Sequence, residues 1–488
     1  MPSAGARPLP SLDVFQRLGN WARDKRDGLA LDDGFEELTF SKLAQRVAGL
    51  AQKVAPLPNV LGVYVPGGAA FTIADLALSF AGKTFVPLPP FFSAQQLAHI
   101  VRDCGMGAVL TTPGWKSKAE GFGLPVELIV DEEAAYDADA AHAGGRVIYT
   151  SGSTGAPKGV RLGTKQLNAS AQGLLAASKA GPSDRYLSVL PQALLLEQVA
   201  GIHVPLLAGA PVYLAAGAVQ AAAMGDPVPL IARAKHVQPT ATVLVPDLLR
   251  AWVGGLAATR TMAPSSLRFV AVGGAPVPPK LCDAAWSLGI PVHEGYGLSE
   301  CCSVVAVNRP ENSVNGTAGQ PLDGIKVTIE NGEIVVEGPT VMDGYLNGPD
   351  PQGRFATGDL GTLDAKGNLV VLGRKDNLIV LSNGRNLSPE WIEGMILADP
   401  MIARAVIVGH GQSHPTAVLT PSSAGRDWFT KASGDDIAGR LAGLTAQAPV
   451  YAQPSSAIVV AEADLVAKGL LTGNGRVMRQ AVASMVLG

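Results

Sequence analysis

Cysteine is scarce in this chain, and charge is thin. The four cysteines, Cys104, Cys282, Cys301 and Cys302, fall at no spacing used by a metal ion or a redox pair. Cys301 and Cys302 are adjacent, yet no run of Cys or His nearby completes a site. All four read as plain buried thiols of a reducing compartment. Charged residues make up only 16% of the chain, 38 basic against 41 acidic, and the net charge of -3 carries no basic footprint for nucleic acid. The apolar core of a secretory leader is also missing, because Arg7, Asp13 and three prolines interrupt residues 1–18. The longest uncharged stretch, residues 198–225, is broken by Gly201, Pro205, Gly209, Pro211 and Gly217, so it is expected to be buried strand and turn, not a membrane helix. These absences predict a soluble, cytoplasmic protein.

What is present is apolar bulk and punctuation. A chain of 488 residues, 47% of them hydrophobic, is too long for one core and is expected to form at least two domains. Its 57 glycines and 36 prolines are spread evenly, as in a large α/β fold with many tight connections. Short β-rich runs at residues 60–65, 108–111, 146–149, 242–245 and 269–272 alternate with helical patterns at 41–55, 93–103 and 165–180. Strand and helix in alternation predict parallel sheets covered by helices. After Gly319 the texture changes to short strands at 325–329, 333–337, 361–363 and 369–372, joined by Asn-Gly, Lys-Gly or Pro turns. This predicts a β-meander packed beside the α/β body. Beyond Arg374, a helix at 389–397, a strand at 403–408, a helix at 435–446 and a strand at 457–460 predict a compact α+β domain.

The densest chemistry lies between Tyr149 and Val160. Thr150, Ser151, Gly152, Ser153, Thr154, Gly155, Pro157, Lys158 and Gly159 follow an apolar strand and gather four hydroxyls, three glycines and one lysine. Glycines admit a phosphate close to the backbone, hydroxyls and N–H groups ligate its oxygens, and the lysine supplies charge. It is not a Walker loop, because Pro157 precedes the lysine and Gly159 follows it. The string resembles the phosphate loop of the adenylate-forming acyl-CoA synthetase superfamily at every fixed position of T-S-G-S-T-G-x-P-K-G. Four more segments follow in that family's order. Gly295-Tyr296-Gly297-Leu298-Ser299-Glu300 resembles Y-G-x-T-E, with serine keeping the threonine's hydroxyl; a serine-hydrolase elbow is excluded, since Cys301 stands where glycine is needed. Val272-Gly273-Gly274-Ala275-Pro276 resembles the backbone shelf beside adenine, Arg354 to Asp359 the ribose-binding R-x-x-T-G-D, and Gly373 to Asn377 the hinge.

The resemblance implies an α/β fold, with a large N-terminal adenylating domain over residues 1–374. It also implies a small mobile α+β domain over 375–488 that rotates about Asp376. It implies ATP, magnesium and CoA (or a carrier protein's phosphopantetheine) as cofactors. Adenine would lie on Tyr296, with Glu294, Gly295, Gly297, Gly274 and Ala275 around it and a contact from the Ser299 hydroxyl. Ribose would bind Asp359 and Arg374, and magnesium Glu300. Lys158, Glu300 and Arg476 are the implied catalytic residues. Arg476 is a departure, since the register of Thr472 to Arg479 places it where the family carries lysine. Its planar fork is not a neutral swap for an ammonium, and Lys468 is the nearby alternative. A second departure is residues 190–198, where the family's histidine is missing and leucines suggest an apolar pocket wall; His203 reads as a core histidine.

The activity implied is activation of a fatty or aryl acid as an acyl-adenylate, followed by thioester formation with CoA. Two alternatives stay open: a ligase that loads an acyl-carrier protein, and a catalytically weakened homologue that only binds nucleotide or acyl groups. Neither a nucleic acid nor a membrane span is expected.

Overall fold

The computed structural model describes residues 13–150, 157–215, 217–218, 221, 226–471 and 477–487. Two large sheets form the body. The first, among the described residues, runs in the order Gln320–Pro321, Ala306–Val307, Val292–Tyr296, Phe269–Val272, Ala241–Leu244, Tyr186–Ser188, Val212–Leu214, Leu29–Asp32 and Glu37–Thr39. Its centre is parallel, with Val270 opposite Val292 and Ala271 opposite His293. The second contains Val126–Leu128, Ala108–Thr111, Val60–Val63, Thr84–Pro87, Arg146–Thr150 and Lys158–Leu162. Every residue of Ala108–Thr111 and Phe269–Val272 is buried, as expected of parallel strands with helices on both faces. The helices start at recognisable caps. Thr39 accepts from Lys42 N ahead of Phe40–Val54, and Ser93 and Gln96 form a capping box ahead of Ala94–Asp103.

The predicted meander is present, as four antiparallel strands: Lys326–Glu330, Glu333–Glu337, Arg354–Leu363 and Leu369–Arg374. Its first turn is the two-residue Asn331-Gly332, both at positive φ (51° and 82°), the geometry that matches strand twist. Beyond Arg374 the helix Pro389–Ile396 and the strand Ile402–Val408 stand close to their predicted places. The sequence reading missed the strand Thr416–Pro421 and the helix Arg426–Lys431. That strand is central, pairing with Ile402–Val408 on one side and Ser456–Val459 on the other, so it is buried along its length and shows no alternation. The hydrophobic cluster around Ile379, Ile392, Ile407 and Leu419 is distinct from the one that runs from Val14 to Leu369.

One expectation needs correction. Part of the uncharged stretch is helical: Gln198–His203 is a π-helical turn that continues into Val204–Ala208, and among its described residues only Val212–Leu214 is strand. Pro205 lies inside this continuous helical run, directly after the π-helical turn, and Gly209 ends the run at φ +71°. His203 is a core histidine. It lies 3.5 Å from the carboxylate of Asp75, which is itself gripped by Arg146 at 2.9 and 3.1 Å, and Gln198 closes the cluster. The Arg146 guanidinium holds Asp75 below the usual carboxylate range despite full burial. The four cysteines are free and buried, and burial raises each thiol pKa. Among the described residues, no helix is long and apolar enough to cross a membrane.

Candidate active site

Two paired strands flank the phosphate-loop string. Arg146–Thr150 and Lys158–Leu162 pair antiparallel, with Thr150 directly opposite Lys158. Ser151, Gly152, Ser153, Thr154 and Gly155 lie outside the described residues. Lys158 is therefore the first residue of a strand, at the mouth of the loop. Gly159 is required by packing, since a Cβ there would come within 2.9 Å of Val147 Cγ1 and 3.1 Å of the Tyr149 ring.

Glu300 sits on the 3-10 turn Ser299–Cys301, at the end of the strand Val292–Tyr296. The turn is tight. A Cβ on Gly297 would lie 1.6 Å from Ser303 O, and Cys302 and Ser303 both hold positive φ (53° and 84°). The buried Cys301 side chain anchors the turn and leaves Ser299 and Glu300 half-buried at the surface of the cleft. The sequence reading missed Tyr345, whose hydroxyl donates to Glu300 Oε1 at 2.9 Å. The Lys158 ammonium lies 5.6 Å from the centre of the same ring. A tyrosine in a polar turn carries no motif signal of its own.

Asp359, Tyr296 and Arg374 come together as expected for a ribose site. Tyr296 Oη donates to Asp359 Oδ2 at 2.6 Å, and Arg374 Nη1 lies 3.2 Å from Asp359 Oδ1. Asp359 and Arg374 are directly opposite one another across two strands of the meander. Thr357, the threonine of the R-x-x-T-G-D motif, fixes the bend: its hydroxyl donates to Ile334 O and accepts from Asp359 N. Burial raises the Asp359 pKa, and its bonds to Tyr296 and Arg374 offset part of the rise. The same burial, together with the Asp359 carboxylate, raises the Tyr296 phenol, which stays a donor.

Gly274 and Ala275 form an exposed turn after Phe269–Val272, with Gly274 at φ +84°. Glu294 is held through one carboxylate oxygen. Its Oε1 accepts from Gly316 N at 3.0 Å and faces the Cys282 thiol at 3.8 Å, and burial raises its pKa. Asp376 lies exposed on the 3-10 turn Lys375–Asn377. Arg476 lies outside the described residues, but the helix that follows it is anchored: Arg479 bonds both oxygens of Glu393 and the carbonyl of Ile407. The alternative cation, Lys468, is exposed, with its ammonium beside Met485 Sδ.

These groups fit a magnesium nucleotide. Tyr345 occupies one oxygen of Glu300, and among the described residues no cluster of three His, Cys, Asp or Glu could hold a metal alone. That suits magnesium, which takes one or two carboxylates and completes its shell with phosphate oxygens and water. Each Asp359 oxygen has one donor from the protein and a second lone pair to spare for ribose.

The sequence matches the family described as AMP-binding enzyme over residues 18–346, and the AMP-binding enzyme C-terminal domain over residues 376–485. The chain belongs to the AMP-binding enzyme family. Among the relatives of this AMP-binding enzyme is a 2-succinylbenzoate–CoA ligase of Bacillus cereus (strain AH820), 29% identical over 436 residues, covering 81% of this chain and 86% of the relative. A feruloyl-CoA synthase of Amycolatopsis sp is 27% identical over 480 residues, covering 90% and 94%. The structure of o-succinylbenzoate CoA synthetase from Bacillus subtilis in complex with its acyl-adenylate intermediate superposes with a TM-score of 0.79 at 25% identity, covering 97% of this chain and 98% of that one. An anthranilate CoA ligase bound to anthranoyl-AMP shares the fold, with a TM-score of 0.85 at 19% identity over 98% of each chain. The α/β architecture with its C-terminal domain is thus that of adenylate-forming enzymes.

Proposed function

We propose that this AMP-binding enzyme is an ATP-dependent acid–thiol ligase that activates an aryl or fatty carboxylic acid as its adenylate and passes the acyl group to the thiol of CoA. The observation that carries this is the convergence of separate motifs on one cleft. Lys158 approaches Glu300 through Tyr345, and Tyr296 bonds Asp359 beside Arg374. A carboxylate is a poor acyl donor because oxide is a poor leaving group. Attack of its oxygen on the α-phosphorus of ATP forms the acyl–phosphate bond and expels pyrophosphate; the thiol then displaces AMP. No covalent enzyme intermediate is needed, so positioning and charge suffice. Asp359 and Arg374 would fix the ribose, Tyr296 would lie against the base, and Lys158 would meet the phosphates. Arg476 would draw the acid's carboxylate toward the α-phosphorus. Magnesium, held by Glu300 and phosphate oxygens, supplies the remaining positive charge when bound.

We infer further that residues 375–488 turn about Asp376 between the two steps, which admits the thiol. The relatives named above are ligases of aromatic acids and CoA, which favours an aryl acid over a long acyl chain and CoA over a carrier protein. The test is pyrophosphate release with ATP and a panel of aryl and fatty acids, then the same mixture with CoA or a carrier protein added. Release with an aryl acid and capture by CoA is expected. Capture by the carrier protein alone would reassign the thiol donor. No release with any acid would leave a nucleotide-binding homologue.

A further inference from the structure

The segment from Val341 to Leu346 is tied on both sides of the cleft. Asp343 N donates to Arg161 O and Arg161 N to Gly344 O, each at 3.0 Å, and Leu346 N donates to Gly159 O at 2.8 Å. It therefore runs as an extra edge beside Lys158–Leu162, with Tyr345 bridged antiparallel to Val160. At its other end Met342 N donates to Glu300 O at 2.8 Å. Gln166 adds a brace, donating to Val341 O and to the Asp343 carboxylate. One short strap thus joins the hairpin that carries Lys158 to the turn that carries Glu300. Tyr345 stands at the junction, hydroxyl on Glu300 and ring beside the Lys158 ammonium.

We propose that Tyr345 is a positioning residue that holds Glu300 off Lys158, so that the ligand-free site keeps its cation and its anion apart. The inference rests on the reading of this cleft as a nucleoside-triphosphate site. Lys158 is exposed and Glu300 half-buried, so an ion pair between them is worth up to about 1 kcal/mol and forms in part of the molecules when nothing stands between the two charges. That pair would satisfy both charges before a nucleotide arrives, and binding would be weakened by the fraction of molecules so closed. Tyr345 gives Glu300 a neutral donor and gives Lys158 the edge of a π-face. Both side chains are thereby ordered, and both formal charges remain for phosphate and metal.

The proposal is tested with Tyr345→Phe, which keeps the ring and removes the hydroxyl, in the wild-type and Glu300→Gln backgrounds. ATP binding is measured by calorimetry in magnesium-free buffer. Tyr345→Phe is expected to weaken ATP about fivefold where Glu300 can capture Lys158, and to change nothing in the Glu300→Gln background, whose neutral amide cannot. Equal loss in both backgrounds, or no loss in either, overturns the proposal; equal loss with a lowered melting temperature would mark the tyrosine as structural only. A crystal structure of ligand-free Tyr345→Phe reads the same point without nucleotide. Glu300 paired with Lys158 is expected, and Glu300 unmoved would sink the idea. A wild type that binds no ATP counts against the proposed function alone, because that structure still decides whether Tyr345 separates the two charges.

Discussion

Asp359 carries the most crowded carboxylate of the cleft. It accepts from Tyr296 on one oxygen and faces Arg374 with the other, and Thr357 fixes its backbone. Replacing it with asparagine keeps the shape and removes the charge that strengthens every one of these bonds. Asp359→Asn is expected to raise the KM for ATP in pyrophosphate exchange by at least about tenfold, the effect of losing one charge-assisted contact. Tyr296→Phe should raise it only about threefold, because Arg374 still orients the carboxylate. A KM unchanged in Asp359→Asn would remove the ribose assignment. The tight Gly297 turn follows the same logic of single atoms: no side chain fits between it and Ser303, so the position of Glu300 is set by a glycine three residues before it.

The helix Pro389–Ile396 links the two segments that flank it in space. Its Glu390 accepts from Asn377 on the turn after Arg374 and lies 3.5 Å from Arg479, while its buried Glu393 bonds Arg479 and Ile407 N. Arg479 thereby anchors the chain three residues after Arg476. Arg479→Ala would leave Glu393 buried without its cation, at a cost of about 3 kcal/mol in stability of the small domain. The same change is expected to slow acyl-adenylate formation more than thioester formation from supplied acyl-adenylate. Arg476→Ala, by contrast, should abolish the first step with no loss of stability, the outcome expected of the proposed role of its charge in the reaction. Pyrophosphate exchange, CoA consumption and thermal unfolding of each variant separate the two. Arg479→Ala slowing both steps equally would show that its anchoring does not serve Arg476.

Across the whole molecule, two buried groups give stability a pH dependence of opposite sign. His293 is stacked on Phe269 with centroids 4.8 Å apart, and burial lowers its pKa to about 4. The fold holds it neutral, so its contribution is present above its unfolded pKa and is lost as pH falls from about 6.5 toward 4. Glu197 is fully buried against Tyr186, and burial raises its pKa to about 8. The fold holds it protonated, so its contribution is present below its unfolded pKa and is lost as pH rises from about 4.5 through 8. Each contribution is on the order of 3 kcal/mol at full extent. Urea midpoints should therefore fall at both ends. Glu197→Gln is expected to remove the alkaline fall, and His293→Phe, which keeps the stack, the acid one. A Glu197→Gln variant that still weakens between pH 5 and 8 as the wild type does would place the titrating group elsewhere.

The alternation of strand and helix, the meander and the order of the motifs are all legible along the chain, because each is written in local spacing. Glycines and hydroxyls at fixed intervals mark a motif by residue type alone, and hydrophobic period separates strand from helix over short windows. That Asp359, Arg374 and Tyr296 belong to one chemistry is legible too, through their resemblance to a known family. Which side chains meet is a matter of packing. Asp75, Arg146, Gln198 and His203 are far apart in the chain and close a buried cluster only when a strand, a helix and a π-helical turn pack together. Residues 198–208 could not be told from buried strand, since an uncharged and mostly apolar run has little period to read. One oxygen of the Glu294 carboxylate accepts from Gly316 N, a partner twenty-two residues on that no local spacing announces. Tyr345 joins Glu300 to Lys158 across the cleft because backbone pairing lays its segment beside the hairpin, and no local pattern encodes such a pairing.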